Sequence, residues 1–134
     1  MKLDYTNETV FSFDGPNLCL LGNEADFLQL AKSIVDLTGK NGVSIDLLDL
    51  DFVESVGEQI RVIFSSKKDS KNLGVWDNDS TLLFELDYRL WNRLFKYFIL
   101  MSWEKSTYYL NEYESYLSDL ELSQDSNFIC SSEF

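Results

Sequence analysis

The sequence predicts an α+β protein made of two fused ββαββ repeats, with a largely antiparallel sheet and two main helices packed on one face. Three observations predict it. Strand-like segments come in pairs joined by turn residues, which favours antiparallel pairing. Two stretches, ending near Leu37 and Ser102, carry apolar residues at helical spacing. The apolar pattern from Leu20 also recurs from Leu83, an offset of 63 residues.

The elements follow in order. Thr9–Asp14 alternates, with Val10 between Thr9 and Phe11, and predicts the first strand; Asp14-Gly15-Pro16-Asn17 is a turn. Leu18–Leu21 is the second strand. Asn23 is placed to cap a helix over Glu24–Leu37, whose Phe27, Leu28, Ala31, Ile34 and Val35 share a face. Gly39 and Gly42 end it. Val43–Leu50 predicts a third strand, Asp51–Gly57 a connector, and the β-branched run within Gln59–Ser66 a fourth strand.

The second half repeats this order. Leu73–Trp76 and Leu82–Leu86 flank the turn Asp77-Asn78-Asp79-Ser80, and Asp87 caps a helix running to about Ser102. Ser106–Leu110 predicts a strand, Glu112–Leu120 a helical connector, and Asn127–Ser131 the last strand. At an offset of 63 Phe27 meets Leu90 and Ile45 meets Tyr108; the last strands align with three extra residues, Val62 against Phe128. The expected organisation is one domain over 1–134, with pseudo-repeats at about 9–67 and 72–133. Phe95 and Ile99 stand on the second helix where the first has Lys32 and Asp36, so they are expected either to pack or to form a partner patch.

Composition narrows the chemistry. The chain has 134 residues, 45% of them hydrophobic, which is enough for one core and far from the composition of a disordered chain. It has no histidine, which removes Ser-His-Asp and Cys-His nucleophiles and His-ligated metal. Cys19 and Cys130 are too few for a Cys-rich zinc site and read as buried, inert thiols. No Gly-rich phosphate loop is present, and Leu82 stands where a calcium loop beginning at Asp77 would need glycine. The protein is therefore expected to be no enzyme and to use no cofactor.

The net charge of −12 disfavours direct contact with nucleic acid and with anionic membranes. The first eight residues are polar where a signal peptide carries its apolar stretch, so a cytoplasmic location is expected. The acids gather in two cation-free segments. Gly42–Ile60 holds Asp46, Asp49, Asp51, Glu54 and Glu58; Ser106–Phe134 holds Glu112, Glu114, Asp119, Glu121 and Asp125, with Glu133 at the end. Those first ten are the candidate partner-binding residues, an electronegative surface for a basic protein. Tyr108, Tyr109, Tyr113 and Tyr116 lie beside the second segment as candidate interface aromatics.

The succession Leu18-Cys19-Leu20-Leu21-Gly22-Asn23, the helix Asp26–Leu37, the strand Ser44-Ile45-Asp46-Leu47 and the ending Ile60–Ser66 resemble small bacterial immunity proteins. These neutralise polymorphic or contact-dependent toxins, and in some a single two-strand, helix, two-strand unit is the whole protein. The resemblance implies a non-enzymatic protein that binds one cognate toxin domain, and a basic nuclease would suit the acidic segments. It carries no fixed functional residues to place here. Three other readings remain open: an acidic nucleic-acid mimic that inhibits a DNA-binding protein, a structural subunit of a larger assembly, and a small hydrolase using carboxylates.

Overall fold

The computed structural model describes residues 1–10, 13–110 and 121–134. Nine strands and two α-helices lie among them. The chain opens with β1 (Lys2–Thr6) and β2 (Asn17–Leu21), then α1 (Glu24–Ser33) and a 3₁₀ turn, Val35–Thr38. Three short strands follow: β3 (Ser44–Asp46), β4 (Glu54–Gly57) and β5 (Arg61–Ser66). The second half holds β6 (Lys71–Asn78), β7 (Thr81–Leu86), α2 (Tyr88–Trp103), β8 (Thr107–Tyr109) and β9 (Asn127–Ser131). The strands are divided between two sheets, ordered β4-β1-β2-β9-β8 and β3-β5-β7-β6, and α1 packs on α2. The α+β class and the antiparallel hairpins β1–β2 and β6–β7 stand as expected.

The two halves are interleaved. In the first sheet the hairpin β1–β2 receives β9 parallel to β2, and β8 lies antiparallel to β9. In the second sheet the hairpin β6–β7 receives β5 parallel to β7, and β3 lies antiparallel to β5. Each sheet thus joins the hairpin of one half to the closing strands of the other. Only β4, parallel to β1, has no counterpart among the described strands.

Side-chain positions repeat with this pairing. Asn23 and Asp87 cap the two helices. Phe27, Leu30, Ile34 and Leu37 answer to Trp91, Leu94, Phe98 and Met101, all fully buried. The offset through the second hairpin strand and the helix is therefore 64, not the expected 63; beyond α2 the expected offset of 63 holds, with Ile45 and Tyr108 opposite Phe64 and Cys130. Equivalent serines close each unit. Ser66 Oγ accepts from Val43 N–H (3.1 Å) and donates to the Lys40 carbonyl (2.8 Å). Ser132 Oγ accepts from Ser106 N–H (2.9 Å) and donates to the Glu104 carbonyl (3.1 Å).

One hydrophobic core runs between sheets and helices. Phe128 of β9 packs on Phe84 (4.7 Å between ring centroids) and Phe64 (6.5 Å) of the other sheet. Trp91 packs on Phe64 while its indole N–H donates to the Ser65 carbonyl at 2.7 Å, so its one polar group is satisfied inside the core. Phe95 and Ile99 are half-buried and packed against this core.

Four elements differ from expectation, the first helix among them, since α1 ends at Ser33 and the chain continues as a 3₁₀ turn instead of α-helix to Leu37. The first strand is Lys2–Thr6, where Leu3 and Tyr5 turn inward, rather than Thr9–Asp14; Val10 and Phe13 form only an isolated bridge. That strand lies ahead of the expected repeat start at residue 9. The connector Asp51–Gly57 contains a strand, β4, and the expected strand Val43–Leu50 is cut short at Asp46. There Asp46 accepts from Leu48 N–H at 3.0 Å and turns the chain into a 3₁₀ turn. The connector at 112–120 lies outside the described residues.

The matching serines give a test of the repeat. Ser66→Ala and Ser132→Ala each remove the partner of a backbone N–H, so each should destabilise by about 1–3 kcal/mol. Urea denaturation should find the two costs similar; a loss at only one would show that the serines are not equivalent.

Candidate functional site

A carboxylate-rich surface forms where the edge of one sheet meets the other. Tyr5 of β1 and Trp76 of β6 meet edge to face, with centroids 5.4 Å apart. Trp76 N–H donates to Asp125 Oδ2 at 2.9 Å, which fixes that acid beside the aromatic pair. Three hollows adjoin these residues. The largest, about 580 Å³, holds Asp4, Glu8 and Glu58 around Tyr5. A second, about 410 Å³, lies between Trp76, Asp77 and Asp79. The third, about 300 Å³, is lined by Asp14, Pro16, Asp125 and Asn127. Among the described residues, no Lys or Arg lines any of the three.

Local structure explains the assembly. Gly57 sits at φ 74°, and a Cβ there would lie 2.6 Å from Asp4 Oδ1, so only glycine lets β4 end against β1. This places Glu58 beside Tyr5. Gly74, at φ 89°, makes the bulge between Leu73 and Val75, and its N-terminal neighbour Leu73 remains in the core. Past that bulge Trp76 faces Tyr5. The hairpin turn is Asp79-Ser80, shorter than the expected Asp77–Ser80 because Asp77 and Asn78 remain in β6, and Ser80 N–H donates to Asn78 Oδ1 at 2.9 Å.

The electrostatics agree with the geometry. Tyr5 is 6% exposed; burial, then Glu58, then Asp125 raise its hydroxyl above the usual tyrosine value, so it stays protonated. One acid from each expected segment therefore acts on the same ring. The other expected residues are dispersed. Asp46 is neutralised by Arg61, whose guanidinium donates at 2.8 and 3.0 Å. Glu54 stands opposite Lys2 at the far end of β4, and Asp49, Asp51 and Glu121 are exposed elsewhere. Glu112, Glu114 and Asp119, with Tyr113 and Tyr116, lie outside the described residues. Sequence reasoning missed Asp4, Glu8 and Asp14 as members of the surface, because the opening segment was not seen as a strand. Asp77 and Asp79 were seen only as turn residues.

Other chemistry-bearing groups are structural. Cys130 is fully buried, and burial pushes its thiol well above the ordinary value; burial and then Asp4 push Cys19 up to about 11. Both thiols are therefore protonated near neutral pH and poor nucleophiles. Among the described residues no group of three or more His, Cys, Asp or Glu side chains could hold a metal ion. No helix among them is long and apolar enough to cross a membrane. Compared with known proteins, the chain matches no family model, no curated protein and no solved structure.

Asp87 shows how an acid can serve the fold alone. It is 5% exposed and caps α2, accepting from Arg89 N–H (3.1 Å), from Asp69 N–H (3.1 Å) and from Arg89 Nε (2.9 Å). The Arg89 side chain, helped by both backbone donors, holds its carboxyl well below the usual range, against the effect of burial. A lowered folded value means the unfolded chain takes up the proton first. This contribution is whole above about pH 4, the ordinary carboxylate value, and is lost as pH falls below it. Asp87→Asn should be less stable at pH 7 and lose less stability between about pH 4 and pH 2 than the parent. Parallel acid-denaturation slopes would contradict that role.

Proposed function

We propose that the chain is a binding protein that engages a basic protein through the carboxylate surface around Tyr5 and Trp76. The observation that carries this reading is the convergence of Asp4, Glu8, Asp14, Glu58, Asp77, Asp79 and Asp125 on hollows that, among the described residues, no Lys or Arg lines. Such a surface attracts and orients a cationic partner, and the half-buried Trp76 at its centre supplies apolar contact. The specific partner we infer is a cognate toxin domain, with the chain acting in the cytoplasm as its immunity protein. The support for that step is the resemblance of the β2–α1–β3 succession and the charge. A nuclease fits best, since its groove is cationic in order to hold phosphates. The protein's role is then to occupy that groove, with no reaction of its own.

The experiment is retention of native proteins on the immobilised full chain, beside the variant Glu8→Gln/Glu58→Gln/Asp77→Asn/Asp79→Asn. The parent should retain a basic protein that the variant loses, with an association rate that falls steeply with salt. Steering of this kind raises on-rates by about 10–10³-fold, so the variant should bind more slowly and with a shallower salt slope. Equal retention by both chains, or a partner that is acidic, would overturn the reading.

A further inference from the structure

The largest hollow of the carboxylate surface contains a hydroxyl that the fold itself does not use. Tyr5 lines this hollow and is only 6% exposed. Among the described residues its hydroxyl has no hydrogen-bond partner, although buried polar groups ordinarily find one. Nor is that oxygen sealed in, since Ser55 Oγ is the only enclosed side-chain oxygen or nitrogen among them that lacks a partner. The hydroxyl therefore reaches the surface beside Glu58, a wall of the same hollow whose charge acts on it.

The acids of the hollow are uncompensated. The side chains of Asp4, Glu8 and Glu58 have no hydrogen bond or ion pair among the described residues. The cations nearest along the chain do not supply one: Arg61 is held by Asp46, and Lys2 lies at the opposite end of the β1–β4 ladder from Gly57. The backbone that carries the acids is fixed in advance. Glu8 N–H donates to Thr6 Oγ1 at 3.1 Å, and the Glu8 carbonyl accepts from Nδ2 of the fully buried Asn17 at 3.0 Å. Gly57, at φ 74°, turns the chain into Glu58. Acceptors held in this way lose little freedom when a cation arrives.

We propose that this hollow seats one arginine side chain of the basic partner, its guanidinium donating to the Glu58 carboxylate and to the Tyr5 hydroxyl oxygen. Asp4 and Glu8 complete the negative wall. A guanidinium presents five N–H donors in one plane and can meet several acceptors at once, whereas an ammonium is a compact, strongly hydrated point charge. The hollow, about 580 Å³, is of the size that encloses a small ligand. This rests on the reading of the surface as a site for a basic protein, and it makes Tyr5, rather than total charge, the point of anchorage.

The test titrates the isotope-labelled full chain with the peptide acetyl-Gly-Arg-Gly-amide and with its citrulline and lysine counterparts. The arginine peptide should shift the amide resonances of Gly57 and Glu58. The citrulline peptide has the same shape without the charge and should bind at least about tenfold more weakly, the loss expected for hydrogen bonds to a charged group. Tyr5→Phe should melt at the parental temperature, because the hydroxyl bonds nothing inside the protein, yet bind the arginine peptide about threefold or more weakly. Glu58→Gln, at an exposed position, should weaken it further and serves as the second variant if Tyr5→Phe does not fold. Equal binding of the arginine and citrulline peptides, a lysine peptide that binds as tightly, or parental affinity in folded Tyr5→Phe would overturn the proposal. Retention of native proteins on immobilised Tyr5→Phe separates the two readings. A basic protein retained with the parental association and dissociation rates would overturn the arginine seat and leave the wider surface reading standing. An arginine peptide that binds at Glu58 while the parent retains no basic protein would support the seat and count against the surface reading alone.

Discussion

The parallel pairing of β2 with β9 and of β7 with β5 is the constraint on which the remaining structure depends. Each ladder joins strands from different halves of the chain. Parallel neighbours cannot be joined by a tight turn, so these pairings form only after distant segments meet. The aromatic core records the same dependence. Phe128 reaches the first sheet from the second half and rests on Phe64 and Phe84 of the second sheet. Neither hairpin has a complete hydrophobic face until its partner strand arrives, and the helices then close the core between them. Ser66 and Ser132 tie the two closing strands to the chain ahead of β3 and β8.

Interleaving also positions the candidate site. Tyr5 belongs to the first strand of one sheet and Trp76 to the edge strand of the other, and their contact brings the turns of both sheets side by side. The carboxylates that collect there come from the two ends of the sequence as well as its middle. On α2 alone the cations Arg89, Arg93 and Lys96 stand without a carboxylate in the same helix.

Much of the fold was legible because its signals are local. Helical spacing gave Phe27, Ile34, Trp91 and Phe98, and Asn23 and Asp87 marked the starts of their helices. Paired strands with a turn between them gave the hairpin at Asp77–Ser80. Two strands escaped notice because they carry few apolar residues. In β1 only Leu3 and Tyr5 face the core, beside Lys2 and Asp4, and β4 reads Glu-Ser-Val-Gly. Their stability comes from lying beside one another and β2, which no local window contains. The apolar recurrence was aligned one residue out in the second hairpin strand and the helix. Buried Phe27 then met Leu90 in place of Trp91, since runs of adjacent apolar residues tolerate a slip that inward-facing side chains do not.

The candidate site was less legible. Clustering along the sequence picked out Glu58 and Asp125, which both lie beside Tyr5, and also Asp46, which Arg61 neutralises. Linear charge density does not reveal which acids acquire cation partners across a ladder. Nor does it reveal that Asp4, Asp14 and Asp77 converge, because that depends on the pairing of whole strands.

The central claim is that each sheet requires both halves of the chain, and separate expression of residues 1–67 and 68–134 tests it most directly. Each fragment alone should lack cooperative unfolding and dispersed amide resonances, since its hairpin and its closing strands belong to different sheets. Mixing them should restore a folded one-to-one complex with the spectrum of the intact chain. A fragment that folds cooperatively by itself would contradict the account, because its strands would then pair within one half.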